Sequence, residues 1–294
     1  MQRSFGFPQG IRPLFLFERD ADLKASSSYR AAKAGDEKAA VELLIELALP
    51  WLYEHRERFA PGLIFVAPHA REATGDNAIP QALAAVCGIM YRGVVDNEIV
   101  QSDRVFHTGA DAMERMAARA QFEGGVIPGA KYVLVDDVTS LGGTLAELSN
   151  YIQVFGGVVH DVLVLVNAGR DKALVPQKHF VQLLQERFDD EFTEIFGIQP
   201  PALTANEANY LVGFSTIDAI RNRLASARQE IDRRLRSKGI ARAAQGAALG
   251  ASAAAGLKPD RGLMNRPVDR IVLYQRDAVF FCLDYPVWVS KQYS

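Results

Sequence analysis

Residues Val133 to Leu145 read VLVDDVTSLGGTL, and no other stretch of the 294-residue chain constrains the fold so tightly. Its apolar opening suits a strand buried on both faces of a parallel sheet, where a continuous Val/Leu run replaces alternation. Asp136 and Asp137 stand at the carboxyl end, followed by a Ser/Thr/Gly loop and a helix expected to begin near Thr144. Open α/β sheets collect their ligands at that end of their strands. Gly142 and Gly143 allow close backbone approach to a phosphate, and the amides opening the next helix point at it. Thr139, Ser140 and Thr144 supply hydroxyls to the same group. Two adjacent carboxylates suit hydrogen bonds from vicinal hydroxyls, or a place beside a divalent cation. The pattern is an anion site next to a sugar site.

Other phosphate motifs are excluded. A Walker loop needs Lys before its Ser/Thr, and a Rossmann dinucleotide site needs G-x-G-x-x-G with a downstream acid; neither is present. A turn with two carboxylates, three hydroxyls and two glycines is also costly to place for stability alone.

The stretch resembles the fingerprint of type I phosphoribosyltransferases: an apolar strand, two acidic residues and a short Thr/Gly loop closing with Thr. The resemblance implies an α/β fold with a mainly parallel central sheet flanked by helices. It implies that Val138, Thr139, Ser140, Leu141, Gly142, Gly143 and Thr144 grip the 5'-phosphate of phosphoribosyl diphosphate (PRPP). Asp136 and Asp137 would hold the ribose hydroxyls as the catalytic pair and stand near Mg²⁺, the implied cofactor. The implied reaction transfers phosphoribose to a nitrogenous base or amine and releases diphosphate. Expected partners are PRPP, an unidentified nucleophile and a second copy of the chain in a homodimer. The 6-oxopurine enzymes carry Asp where this chain has Ser140, and Leu141 replaces a commoner small or hydroxylated residue. The acceptor is therefore open. A PRPP-sensing regulatory or partner-binding protein on the same fold is the alternative to an enzyme.

Upstream, Leu63 to Ala67 is a second apolar run, ended by Pro68 and followed by a polar loop to Asn77. A helix is expected from Ala78 to Val86, closed by Gly88, with another strand beginning over Ile89 to Arg92. The same grammar recurs at 133–155 and in the strand Val158 to Val166, so β and α elements alternate around a parallel sheet. Family position assigns the diphosphate to His69, Ala70 and Arg71 in the first loop, with Arg71 offering a charge-assisted contact. The segment Ile99 to Gly125 carries Arg104, His107, Arg115 and Arg119 and is similar to the competence-associated (ComF-like) branch. The resemblance makes it the mobile loop that closes over PRPP, with Arg104 and Arg115 as further diphosphate contacts. Tyr29 to Asp36 is similar to the same branch. Asp36 then caps a helix with its apolar stripe at Ala40, Leu43, Leu44 and Leu47.

Beyond the core, Thr204-Ala-Asn-Glu207 reads as a capping box. A second helix follows from Ser215, with its stripe at Ile217, Ile220, Leu224, Ala227, Ile231 and Leu235. Its other face carries Arg221, Arg223, Arg228, Arg233, Arg234 and Arg236, which leaves nucleic acid as a minor option beside a solvated face or subunit contact. The expected organisation is a strap at 1–27, a phosphoribosyltransferase core at 28–186 and a helical extension at 187–240. An Ala/Gly-rich linker at 241–262 and a hairpin-like tail at 263–294 complete it.

With 33 basic and 35 acidic residues, the chain carries a net charge of −2, which argues against generic polyanion binding. Cys87 and Cys282 lie in apolar surroundings without metal or redox spacing and are expected to be buried thiols. No apolar run reaches the ~20 residues that span a bilayer, so no membrane is expected and the cytoplasm is the expected location.

Overall fold

In a computed structural model, which describes residues 1–69, 77–102 and 110–237, the quoted stretch supplies the middle strand of a five-stranded sheet whose neighbours all run parallel. The strands are β1 (Leu14–Phe17), β2 (Ile64–Val66), β3 (Val94–Asp96), β4 (Val100–Gln101), β5 (Phe122–Glu123), β6 (Lys131–Thr139) and β7 (Val158–Asn167). The large sheet has the order β1-β7-β6-β2-β3, while β4 and β5 form a separate antiparallel pair.

The helices are α1 (Asp20–Lys24), α2 (Tyr29–Lys33), α3 (Glu37–Leu43), α4 (Leu49–Glu54), α5 (Ile79–Met90), α6 (Ala112–Ala117) and α7 (Gly143–Val154), then α8 (Lys178–Phe196), α9 (Ala205–Leu211) and α10 (Ile217–Ser237). As its spacing predicts, α3 starts at Asp36, whose side chain accepts the Ala39 amide at 3.0 Å. A π-helical turn, Leu44–Ala48, joins α3 to α4.

Strand period sorts the core into two layers. Val133 and Val135 point to one face of the sheet, where they meet Leu43, Leu52, Phe65 and Leu83 from α3, α4, β2 and α5. Tyr132 and Leu134 point to the other, against Leu145, Leu148 and Ile152 of α7. Helices thus cover both faces, and β6 is buried twice over, which is why its sequence runs apolar without a break. The connection after β2 leads outward to β3, and the connection after β6 leads the other way to β7. The β2–β6 junction is therefore the switch point of the sheet, where a crevice opens at the carboxyl ends.

A third apolar cluster belongs to α6, α8, α9 and α10, with Met113, Met116, Phe188, Phe192, Leu211 and Leu224 buried in it. The stripe expected on the basic helix is realised at Ile220, Leu224 and Ala227.

Several expectations need correction. The helix over 79–90 does not stop at Gly88, and Ile89 to Arg92 is helix end and turn rather than strand. Gly88 serves a close approach instead, because a Cβ there would come within 2.8 Å of Val95 Cγ2 on β3. The segment Ile99–Gly125 is not a weakly anchored loop over its described parts. Ile99 and Val100 are buried, α6 is held by Met113 and Met116, and a capping box joins Asp111 to Glu114. The methionines supply the apolar area that its polar residues concealed. Arg104, His107, the linker at 241–262, the tail at 263–294 and Cys282 lie outside the described residues. Cys87 is buried, and its desolvated thiol is held well above the usual pKa. No helix among the described residues is long and apolar enough to cross a membrane.

Candidate functional site

β2 pairs with β6 only from Ile64↔Tyr132 to Val66↔Leu134, whereas β7 accompanies β6 out to Thr139↔Asn167. Asp136 and Asp137 therefore emerge just past the last β2 partner, beside the open crevice. Because successive strand residues face opposite ways, Asp137 turns toward the layer holding α2 and Asp136 toward the layer holding α7. Lys33, the last residue of α2, reaches Asp137 and donates to its Oδ2 at 2.7 Å. The Asp137 amide donates to Asp136 Oδ1 at 2.8 Å, so backbone geometry also fixes the first carboxyl.

These contacts set the electrostatics. Burial, and then the adjacent Asp137 carboxylate, push Asp136 well above the usual carboxylate pKa, with Lys33 offsetting only part of the shift. Burial pulls the Lys33 ammonium down, but Asp137 outweighs it through charge and hydrogen bond and leaves Lys33 above the usual lysine value.

The loop continues through Gly142, which sits in the left-handed region at φ +84° and forms the N-cap of α7 without a side-chain cap. A non-glycine residue would be strained there. The first amides of a helix have no intrahelical acceptor, so the opening turn of α7 presents backbone donors toward the crevice. The hydroxyls of Thr139, Ser140 and Thr144 flank those donors in sequence.

The helical cluster is built into this loop. Thr204 Oγ1 donates to the Leu141 carbonyl at 2.6 Å and accepts the Glu207 amide at 3.0 Å. The Thr204 amide in turn donates to Glu207 Oε2 at 2.8 Å, which completes the expected capping box. A Cβ on Gly143 would lie 3.2 Å from Glu207 Oε1, so the cap of α9 abuts the first residue of α7. Behind them, fully buried Arg3 bonds both Glu207 oxygens at 2.9 and 2.8 Å and lies 3.4 Å from Glu147 Oε1. Arg119 clamps the two Glu147 oxygens at 2.6 and 2.8 Å.

Not every residue expected at the site is placed as the sequence suggested. His69 stands just past the carboxyl end of β2, its Nδ1 3.0 Å from the Ala67 carbonyl. Ala70, Arg71 and Arg104 lie outside the described residues. Arg115, expected toward the diphosphate, donates to the Ser140 hydroxyl and, at 3.0 Å, to the Ala110 carbonyl. It therefore contacts the loop that follows β6. Sequence reasoning did not find the partnerships of Lys33, Thr204, Glu207 and Arg3. The capping box was readable, but nothing in its spacing says that it docks on Leu141.

The arginine face of α10 is largely occupied by partners within the chain. Arg221 pairs with Glu191 and Asp218, Arg223 with Asp111, Arg233 with Glu230, and Arg234 with Glu114.

Comparison with known proteins gives partial relatives. The chain is 35% identical over 245 residues to Protein TraN of Escherichia coli, a match covering 77% of this chain and 53% of that protein. It is 37% identical over 54 residues to a hypoxanthine/guanine phosphoribosyltransferase of Methanococcus maripaludis, covering 18% of this chain and 29% of the relative. The chain thus spans about half, or less, of the length of these curated relatives. Among solved structures, it is similar to the adenine phosphoribosyltransferase of Leishmania donovani at 12% identity, covering 56% of this chain and 91% of that one with a TM-score of 0.31. No protein-family model matches the chain.

Proposed function

We propose that this protein binds PRPP at the β2–β6 crevice and transfers its phosphoribosyl group to a nitrogen nucleophile, releasing diphosphate. One arrangement carries the reading: two carboxylates at the end of the central strand, followed at once by an uncapped helix start behind a left-handed glycine. A sugar phosphate has the matching polarity, with hydroxyls for the acids and a dianion for the amides. The local identity to a hypoxanthine/guanine phosphoribosyltransferase supports the same assignment.

In this reading, the residues 138–144 anchor the 5'-phosphate, and Asp136 and Asp137 accept from the ribose hydroxyls. Attack at C1 with loss of diphosphate passes through a cationic, oxocarbenium-like state. Carboxylates held at the ribose hydroxyls would face the ring on which that positive charge develops and so stabilise the transition state as well as the ground state. Little covalent chemistry falls to the protein; alignment of acceptor and sugar supplies much of the rate.

Mg²⁺ fits this site only as an ion shared with the substrate. Among the described residues, no group of three His, Cys, Asp or Glu side chains is placed to hold a metal. Asp136 and Asp137 would be its protein-side ligands, an arrangement common for magnesium carried by phosphates. When bound, the ion neutralises the departing diphosphate.

The basic helix α10 favours the regulatory alternative, and its intramolecular ion pairs weaken that support. Incubation with PRPP, Mg²⁺ and a panel of bases and amines, with diphosphate as the readout, separates the two. Acceptor-dependent diphosphate release is expected. PRPP binding with no release across the panel would favour the regulator.

A further inference from the structure

We infer that Arg3 is a positioning residue for the phosphate loop, acting through Glu207. The inference rests on the phosphoribosyl reading above and concerns charge at the back of the same loop.

The first turn of α7 has two buried carboxylates behind it. Glu207 is 1% exposed and reaches the first residue of α7, where its Oε1 would lie 3.2 Å from a Cβ on Gly143. Glu147 is 6% exposed and sits on α7 itself. A phosphate held by the opening amides of this helix would be repelled by both buried charges, most strongly by Glu207, which abuts the first residue of the helix. Nature places acids at helix starts to satisfy the dipole, but an anion site needs those acids neutralised.

Two guanidiniums provide that neutralisation. Arg119 takes Glu147 in a bidentate pair, and Arg3 takes both oxygens of Glu207 while its Nε lies 3.4 Å from Glu147. Arg3 has no exposed side-chain surface, and among the described residues its Nε and Nη1 have no hydrogen-bond partner. A structural ion pair alone does not explain a fully buried guanidinium set between two carboxylates, since apolar residues of similar volume often serve stability as well or better. Balancing two carboxylates behind an anion site does. The same Glu207 accepts the Thr204 amide, and Thr204 ties down the Leu141 carbonyl. Arg3 thus lets the chain keep an acidic cap on its phosphate loop without losing the phosphate.

The test is a charge cycle, read by calorimetry with ribose 5-phosphate and with PRPP plus Mg²⁺. Arg3→Met is expected to lose about tenfold or more in affinity for both ligands, while Arg3→Lys retains most of it. The double variant Arg3→Met with Glu207→Gln should recover affinity to near wild type, because it removes the uncompensated carboxylate. Glu207→Gln alone, which keeps an acceptor for the Thr204 amide, should bind as tightly as wild type or more tightly. If Arg3→Met does not fold, the last two outcomes still decide the matter. Weaker binding by folded Glu207→Gln, or no recovery in the double variant, would overturn the inference and leave the phosphoribosyl reading standing. Wild-type protein that binds neither ligand would overturn that reading, and the inference with it.

Discussion

Lys33 at the end of α2 and Asp137 at the end of β6 are 104 residues apart in sequence and 2.7 Å apart in the fold. The contact joins the helical layer over one sheet face to the acidic pair at the crevice. Asp137 is nearly buried, whereas the Lys33 side chain is 41% exposed.

Replacing Lys33 with Met should therefore strand a buried carboxylate. The cost is about 1–2 kcal/mol: a charged hydrogen bond is worth roughly 1.5–3 kcal/mol, discounted because the ammonium is partly solvated. Urea denaturation should show a lower midpoint with an unchanged slope. The wild-type contribution has a definite pH window. Because the Lys33 pKa is raised in the folded state, its stabilisation is fully present below the ordinary lysine value and is lost as pH rises through the folded value. The gap between wild type and Lys33→Met should narrow in strongly alkaline buffer.

Asp136→Asn should make the protein more stable at neutral pH while weakening PRPP binding. Asp136 has a raised pKa, so its favourable contribution is present only below the ordinary carboxylate range and disappears as pH rises through the folded value. Above that range the ionised form is a burden, which the amide relieves while still accepting the Asp137 amide. If the relief is ~1 kcal/mol, the melting midpoint should rise by roughly 2–4 °C. Melts at pH 4 and pH 7 check the sign, since the benefit should shrink in acid.

Gly142→Ala should damage the loop without touching the core. The left-handed backbone at φ +84° costs a Cβ-bearing residue roughly 1–2 kcal/mol, and the new Cβ would sit 3.3 Å from Thr204 Cγ2. Gly142→Asn, with a residue that tolerates this conformation, should lose less stability. Thermal melts of the two variants give the order; equal losses would mean that crowding against Thr204, rather than backbone conformation, sets the cost.

Much of this architecture was legible in the chain. VLVDDVTSLGGTL announced a doubly buried strand, an acidic pair and a glycine-led helix start, because each feature is local and each has a distinct physical cause. Asp36 and Thr204-Ala-Asn-Glu207 gave helix starts for the same reason. Gly88 misled because a glycine needed for tertiary contact with Val95 looks identical to one that ends a helix. The Arg115–Ser140 contact could not be read because 25 residues separate the two, and the contacts of Lys33 and Thr204 span 104 and 63. Periodicity and caps do not encode such pairings. They follow from the topology that brings the end of α2 to the end of β6 and α9 to the loop.

Calorimetric titration of PRPP with Mg²⁺ into wild type and the double variant Asp136→Asn with Asp137→Asn decides whether the ribose is held at the end of β6. Wild type should bind measurably and the folded variant should lose affinity severely, on the order of 1.5–3 kcal/mol for each charge-assisted hydrogen bond removed. Equal affinity in the two proteins would contradict it and take the sugar site away from the end of β6.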